Sequence, residues 1–186
     1  MVASSNKITI NDTFEVLANA TNVIVIDFDL RKTIKEEKDG LSSDFNFVTM
    51  AELTAGIRTV NAELTGKISG SANDANNTSD KIIIYAYEKR TFNADVETQG
   101  KGESEVTFAN AVTSGEVQGL SGSYSLDFLE EGEYELIFAS YKEDDNSEFS
   151  FNALLNVEST TGLNLGAIEV SSAIQISANV TVTGIK

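Results

Sequence analysis

Cysteine, histidine, tryptophan and proline are all missing from this chain. Without cysteine there is no disulfide framework, no thiolate nucleophile and no zinc–thiolate site. Without histidine the usual general base and the commonest transition-metal ligand are gone, so a Ser-His-Asp triad cannot be built. The Ser-Lys alternative shows no recognisable spacing. A glycosidase needs only two carboxylates, but with 29 acidic side chains no particular pair stands out. The expectation is therefore a protein that is not an enzyme. Lack of tryptophan removes the side chain most suited to stacking on sugar rings.

Long apolar runs are missing too. Spanning a bilayer takes about 20 apolar residues, whereas the longest runs, Val23 to Ile26 and Ile82 to Tyr87, have strand length. Mean hydropathy is −0.11. Basic residues are few: 13 against 29 acidic give a net charge of −16 and an isoelectric point near 4.2. Such a surface repels phosphate backbones and anionic headgroups, which argues against nucleic acid as a partner. It also keeps a strand-rich protein soluble and discourages edge-to-edge pairing. The first residues, Met1-Val-Ala-Ser-Ser-Asn-Lys, lack a secretory leader pattern and read as a start left after leader removal.

What is present is period-two hydrophobicity. Gly122 to Phe138 holds two alternating runs. Tyr124, Leu126 and Phe128 share one face, Tyr134, Leu136 and Phe138 another, and Glu130, Glu131 and Gly132 form the turn between them. Short candidate strands recur along the chain, among them Lys7–Ile10, Phe14–Ala18, Asn22–Leu30, Asp44–Thr49, Lys81–Lys89, Glu105–Ala111, Phe149–Val157 and Ala173–Thr183. Polar turns such as Asn73 to Asp80 and Gly119 to Gly122 separate them. In the last strand Ile174, Ile176, Ala178, Val180 and Val182 point one way, with Gln175 to Thr183 forming a polar ladder opposite. Ile82 to Tyr87 is apolar on both faces, as a central strand should be. Helix is scarce. Met50, Leu53, Ile57 and Val60 have helical spacing behind a Thr49–Glu52 capping box, and Arg31 to Lys38 could add a turn or two. The fold class expected is all-β, an antiparallel sandwich with an additional N-terminal β segment and little helix.

Two resemblances bear on this reading. Thr65-Gly-Lys-Ile-Ser-Gly70, Lys81 to Lys89 and Gly122 to Tyr141 together resemble the prealbumin-like, or carboxypeptidase regulatory-like, β-sandwiches. In that signature Leu129 and Tyr134 occupy core positions. Upstream, Val23-Ile-Val-Ile-Asp-Phe-Asp-Leu-Arg-Lys-Thr resembles the closing strand of a bacterial envelope lipoprotein domain family of unknown function, which a prealbumin-like sandwich often follows. The resemblances imply an N-terminal β segment over 1–62, either packed on the sandwich or the end of an upstream domain, and a sandwich over 63–186. They further imply an extracytoplasmic location, in the cell envelope of a Gram-negative bacterium or secreted, with a lipid anchor possible upstream. Neither family carries catalytic residues over.

Two sets of residues are candidate sites. Asp74, Asn76, Thr78 and Asp80 place oxygen-bearing side chains at every second position of a loop, a pattern that could offer ligands to Ca2+. The competing reading is a polar turn held by side-chain-to-backbone hydrogen bonds. Tyr85 and Tyr87 lie on one face of a strand and could stack on a glycan; core packing with hydrogen-bonded phenols competes. Asp144, Asp145 and Glu148 read as a charged hairpin tip. The function expected is a non-catalytic ligand-binding or adhesion module for a glycan or a surface protein. A structural spacer without a ligand, or an accessory domain of an extracellular hydrolase, are the alternatives.

Overall fold

In the computed structural model, residues 8, 10, 13–39, 42–119, 121–145 and 147–186 are described. In chain order the elements are β1 (Ile24–Phe28), α1 (Leu30–Thr33), β2 (Ile34–Asp39), β3 (Ser42–Phe47), α2 (Met50–Ala55), β4 (Ile57–Asn61) and β5 (Thr65–Asn73). Then follow β6 (Lys81–Glu88), α3 (Ala94–Glu97), β7 (Thr113–Glu116), β8 (Ser123–Glu130), β9 (Gly132–Glu143) and β10 (Phe149–Ser159). The chain closes with β11 (Ile168–Val170), β12 (Gln175–Ser177) and β13 (Val180–Ile185). The protein is all-β in class. Two compact units divide it: Met1–Glu63 with Asn93–Ala109, and Leu64–Phe92 with Asn110–Lys186. No helix among the described residues is long and apolar enough to cross a membrane.

The first unit holds two antiparallel pairs, β1 with β4 and β2 with β3. At Phe28-Asp-Leu-Arg-Lys-Thr33 the strand gives way to a helical turn. Asp29 caps α1 by accepting from Arg31 N–H at 3.1 Å, and the Thr33 hydroxyl donates back to the Asp29 carbonyl at 3.0 Å. Arg31 to Lys38 thus yields one turn before β2 begins at Ile34, a residue whose branched Cβ favours strand. Lys32 is buried, its Nζ 4.0 Å from Asp29. Burial lowers the Lys32 pKa, and the carboxylates of Asp29, Asp27 and Glu97 oppose that shift. The expected capping box is present: Thr49 Oγ1 accepts from Glu52 N–H while Glu52 Oε2 accepts from Thr49 N–H at 3.0 Å. That helix is shorter than its periodicity suggests. It stops at Ala55, and the β-branched stretch Ile57 to Asn61 becomes β4, because Thr59 and Val60 gain a strand partner in β1.

Glu52 has a second task. Its Oε1 accepts from Ser104 N–H at 3.0 Å and its Oε2 from the Ser104 hydroxyl at 2.6 Å. These bonds, with those from Thr49, hold the carboxyl at a pKa of about 2. The segment Glu105–Ala111, expected to be a strand, is instead a series of turns with positive φ at Glu105 and Phe108. Phe108 N–H bonds to the Glu97 carbonyl at 2.7 Å, a local pairing that takes the place of a ladder. Phe14–Ala18 likewise forms no strand, and the candidate strand Lys7–Ile10 falls largely outside the described residues.

The second unit is the sandwich. Its strands run β12-β5-β13-β10-β9-β6-β7, with β8 on β5 and β11 on β9. β10 serves both halves, pairing β9 through Leu154 and β13 from Leu155, with irregularities at Phe151/Ala153 and Asn156/Val157 where it bends. The core contains Ile68, Ile84, Leu126, Leu129, Phe138 and Val180. Burial of one such side chain contributes roughly 1.5–3 kcal/mol.

The two runs between Gly122 and Phe138 are not a hairpin. β8 pairs with β5, whereas β9 pairs with β6 and β10. They form an arch whose inward faces meet across the interior, the rings of Tyr124 and Phe138 edge to face at 6.0 Å. At the bend Phe128 adopts φ +57° and turns outward, so Leu129 takes the core position in its place. A bulge of this kind inserts one residue against the partner strand, and the β5–β8 register shifts here between Gly66 and Ile68. Tyr134, buried as its resemblance implied, donates its hydroxyl to the Glu130 carbonyl at 2.9 Å and holds the arch.

The C-terminal amphipath is likewise interrupted. β12 and β13 both run parallel to β5, and Ala178, Val180 and Val182 are buried while Ile174 is exposed. Between the two strands the Ala178 carbonyl accepts the Tyr124 hydroxyl at 2.5 Å. Burial pushes the Tyr124 pKa far up. Gly70 is required beneath this contact, since a Cβ there would lie 2.1 Å from the Ala178 oxygen.

Candidate functional site

One end of the sandwich carries an open cleft of about 580 Å³. Its walls come from the end of β5 (Ser71, Asn73), the β5–β6 connection (Asp74, Asn77, Ser79, Asp80) and the β7–β8 connection (Gly119, Ser121, Gly122). Backbone bonds draw these segments together: Ala72 N–H donates to the Gly122 carbonyl at 2.8 Å, and Gly122 N–H to the Gln118 carbonyl at 2.7 Å. Gly122 sits at φ +64°, where a side chain would be strained.

The β5–β6 connection is organised by its two aspartates. Asp74 Oδ2 accepts from Ser79 N–H at 2.9 Å, and the Asp74 carbonyl from Asn77 N–H at 3.1 Å, with Asn77 at φ +49°. Asp80 faces the other way. Its Oδ2 accepts from Glu143 N–H at 3.0 Å and its Oδ1 from Lys142 Nζ at 3.1 Å, and these bonds lower its pKa. Asp74 Oδ1 and the Ser79 hydroxyl are enclosed without a hydrogen-bond partner.

Of the four residues considered for Ca2+, Asp74 and Asp80 line the cleft while Asn76 and Thr78 do not. Fit to the ion is poor. A calcium site needs roughly six to eight convergent oxygens, and the Lys142 ammonium already neutralises Asp80. Among the described residues no three carboxylates, histidines or cysteines cluster closely enough to hold a metal. The arrangement matches the polar turn with side-chain-to-backbone bonds that competed with the metal reading.

Tyr85 and Tyr87 are 3% and 0% exposed. Tyr87 packs edge to face on Phe92 with centroids 5.0 Å apart, and the Tyr85 hydroxyl lies 2.7 Å from that of Tyr141. Their ring faces are covered, so neither offers a stacking platform to a sugar. The acidic tip is a hairpin loop between β9 and β10: Asp144 N–H bonds to the Glu148 carbonyl, and Asp144 Oδ1 accepts from Glu148 N–H at 3.0 Å. On the polar ladder, Gln175 Nε2 donates to Ser69 Oγ at 2.8 Å and Asn179 Oδ1 accepts from Ser71 N–H at 2.9 Å. These side chains tie strand to strand.

Asn73, Asn77 and Ser121 were not singled out in the sequence, although both turns holding them were. Their polarity and turn propensity were legible. Their convergence depends on two connections emerging at the same end of the sandwich.

No protein-family model matches the chain, and no curated protein matches it either. Among solved structures it is similar to BcpA, the major pilin subunit of Bacillus cereus, at TM-score 0.36 and 11% identity over 92% of this chain. GBS52, the minor pilin of Streptococcus agalactiae, gives TM-score 0.31 and 11% identity over 78%. The pilus-presented adhesin Spy0125 (Cpa) gives TM-score 0.28 and 9% identity over 68%. The chain spans 41%, 54% and 29% of those three proteins respectively.

Proposed function

We propose that this chain is a non-catalytic binding module of an extracytoplasmic bacterial envelope protein, and that its ligand is a glycan taken in the cleft at the β5–β6 end. The observation that carries the reading is the cleft's lining. The polar residues Asn73, Asp74, Asn77, Asp80 and Ser121 line one open concavity. Its size suits a small ligand, conventionally about 300–1,000 Å³. A sugar's vicinal hydroxyls both donate and accept, and so match a lining of this mixed polarity. The Phe28-Asp-Leu-Arg-Lys-Thr33 resemblance supports the envelope assignment.

A glycan array followed by titration calorimetry tests the reading. The expected result is micromolar binding that Asp74→Ala and Asn77→Ala abolish, with Tyr141→Phe unchanged. Absence of binding to any glycan, for a folded protein, refutes it and favours the spacer role. Binding that persists in both cleft variants refutes the location.

A further inference from the structure

We propose that β1 is a self-pairing edge through which two copies of this chain join, strand against strand. Among the described residues nothing pairs with its outer edge. Asp29 N–H donates to the Gly56 carbonyl and Ala62 N–H to the Val23 carbonyl. Residues 23 and 29 therefore aim their peptide groups at β4, and the two-residue repeat sends those of Ile24, Ile26 and Phe28 the opposite way. Among the described residues no strand pairs on that side. The same three residues carry exposed side chains, 38%, 53% and 45% accessible.

Edge strands are normally blunted by lysine, proline, a bulge or brevity. Elsewhere in the molecule those devices are visible. β8 carries Asp127, Glu130 and the Phe128 bulge, and β7 has four residues including Gly115 and Glu116. β1 has no lysine, proline or bulge, its one charge, Asp27, is paired with Arg58, and its five pairs with β4 run without irregularity.

The occupant follows from the strand's own pattern. An antiparallel copy centred on Ile26 sets Ile26 opposite Ile26, and Ile24 opposite Phe28. Every facing pair on the exposed side is then apolar. Hydrogen-bonding phase agrees, because Ile24, Ile26 and Phe28 are the residues with outward peptide groups. Charge agrees as well. Asp27 falls opposite Val25 rather than its own copy, and Arg58 already neutralises it, Nη2 to Oδ2 at 2.8 Å. A five-residue seam is small, so the dimer is weak and concentration-dependent. Each copy carries a net charge of −16, so added salt strengthens the association.

The chain has no cysteine, so single substitutions report the register cleanly. Directly opposed residues in a hydrogen-bonded antiparallel pair lie about 5.5 Å apart at Cα, within disulfide range. Under mild oxidation Ile26→Cys is expected to form a covalent dimer. Ile24→Cys and Phe28→Cys alone should do so at least tenfold more slowly, and the two mixed together should cross-link. Sedimentation equilibrium should show a dimer that salt promotes and that Ile26→Lys abolishes, with the circular dichroism spectrum unchanged. A chain that stays monomeric at every concentration and salt overturns the proposal. So does a dimer indifferent to Ile26→Lys, equal cross-linking from all three positions, or an edge closed only by a strand of another polypeptide.

Discussion

Replacing Tyr124 with phenylalanine isolates one buried hydrogen bond. The ring is retained, and with it the edge-to-face contact on Phe138 at 6.0 Å. What is lost is the hydroxyl that donates to the Ala178 carbonyl at 2.5 Å, in a site where Tyr124 is 4% and Ala178 0% exposed. Leaving a buried acceptor without its donor costs about 1–3 kcal/mol. For a unit of this size that corresponds to a fall in melting temperature of roughly 5–20 °C. The sign of the pH dependence provides a second check. Burial raises the phenol's pKa above its unfolded value of about 10, so the folded state holds that proton more tightly. The stabilisation is complete below pH 10 and declines at higher pH, by up to about 1.4 kcal/mol per pH unit. Urea unfolding of both proteins at pH 7 and pH 11 should therefore show the wild-type advantage shrinking at the higher pH. A difference under 0.5 kcal/mol at pH 7, or a gap that widens with pH, would refute the account (thresholds set at roughly the resolution of such assays).

Further outcomes are expected elsewhere. Glu52→Ala removes both the capping box and the bonds to Ser104, and should destabilise the first unit by about 1–2 kcal/mol with faster exchange of the Ser104 amide. Because the Glu52 carboxyl is held at about 2, its contribution is complete above the unfolded value near 4.3. It should be lost as pH falls through about 2, an effect visible by carbon NMR of the carboxyl and absent in Glu52→Gln. Ser79→Ala removes an enclosed hydroxyl that has no partner, and should change stability by less than about 0.5 kcal/mol or raise it slightly; a loss above about 1 kcal/mol would show that the hydroxyl is engaged after all. Gly70→Ala forces a methyl group to within 2.1 Å of the Ala178 oxygen, and should lower the melting temperature more than Tyr124→Phe does. Tyr87→Ala should cost about 3–5 kcal/mol as a large-to-small core change, and its effect on any glycan affinity should follow unfolding alone.

Composition and alternation were enough to define the class. The all-β fold, the central strand Ile82 to Tyr87, the core role of Tyr134 and the Thr49–Glu52 cap are all local facts. Each depends on residue spacing within one segment, and spacing is written in the sequence. What the chain could not disclose is which segments meet. Tyr124, Leu126, Tyr134, Leu136 and Phe138 alternate identically whether β8 and β9 form a hairpin or an arch, since either arrangement buries the same faces. Only the pairing of β8 with β5 and of β9 with β6 separates the two. Phe128 and Leu129 exchange places because one residue with positive φ reverses the alternation. Ile57 to Asn61 became a strand through a partner 29 to 37 residues away in β1, a long-range gain that overrode its helical spacing. The cleft and the outer edge of β1 arise in the same way. Their polar or apolar side chains belong to the sequence, while their convergence and exposure were decided by hydrogen bonding between distant stretches of backbone, for which single-segment periodicity carries no signal.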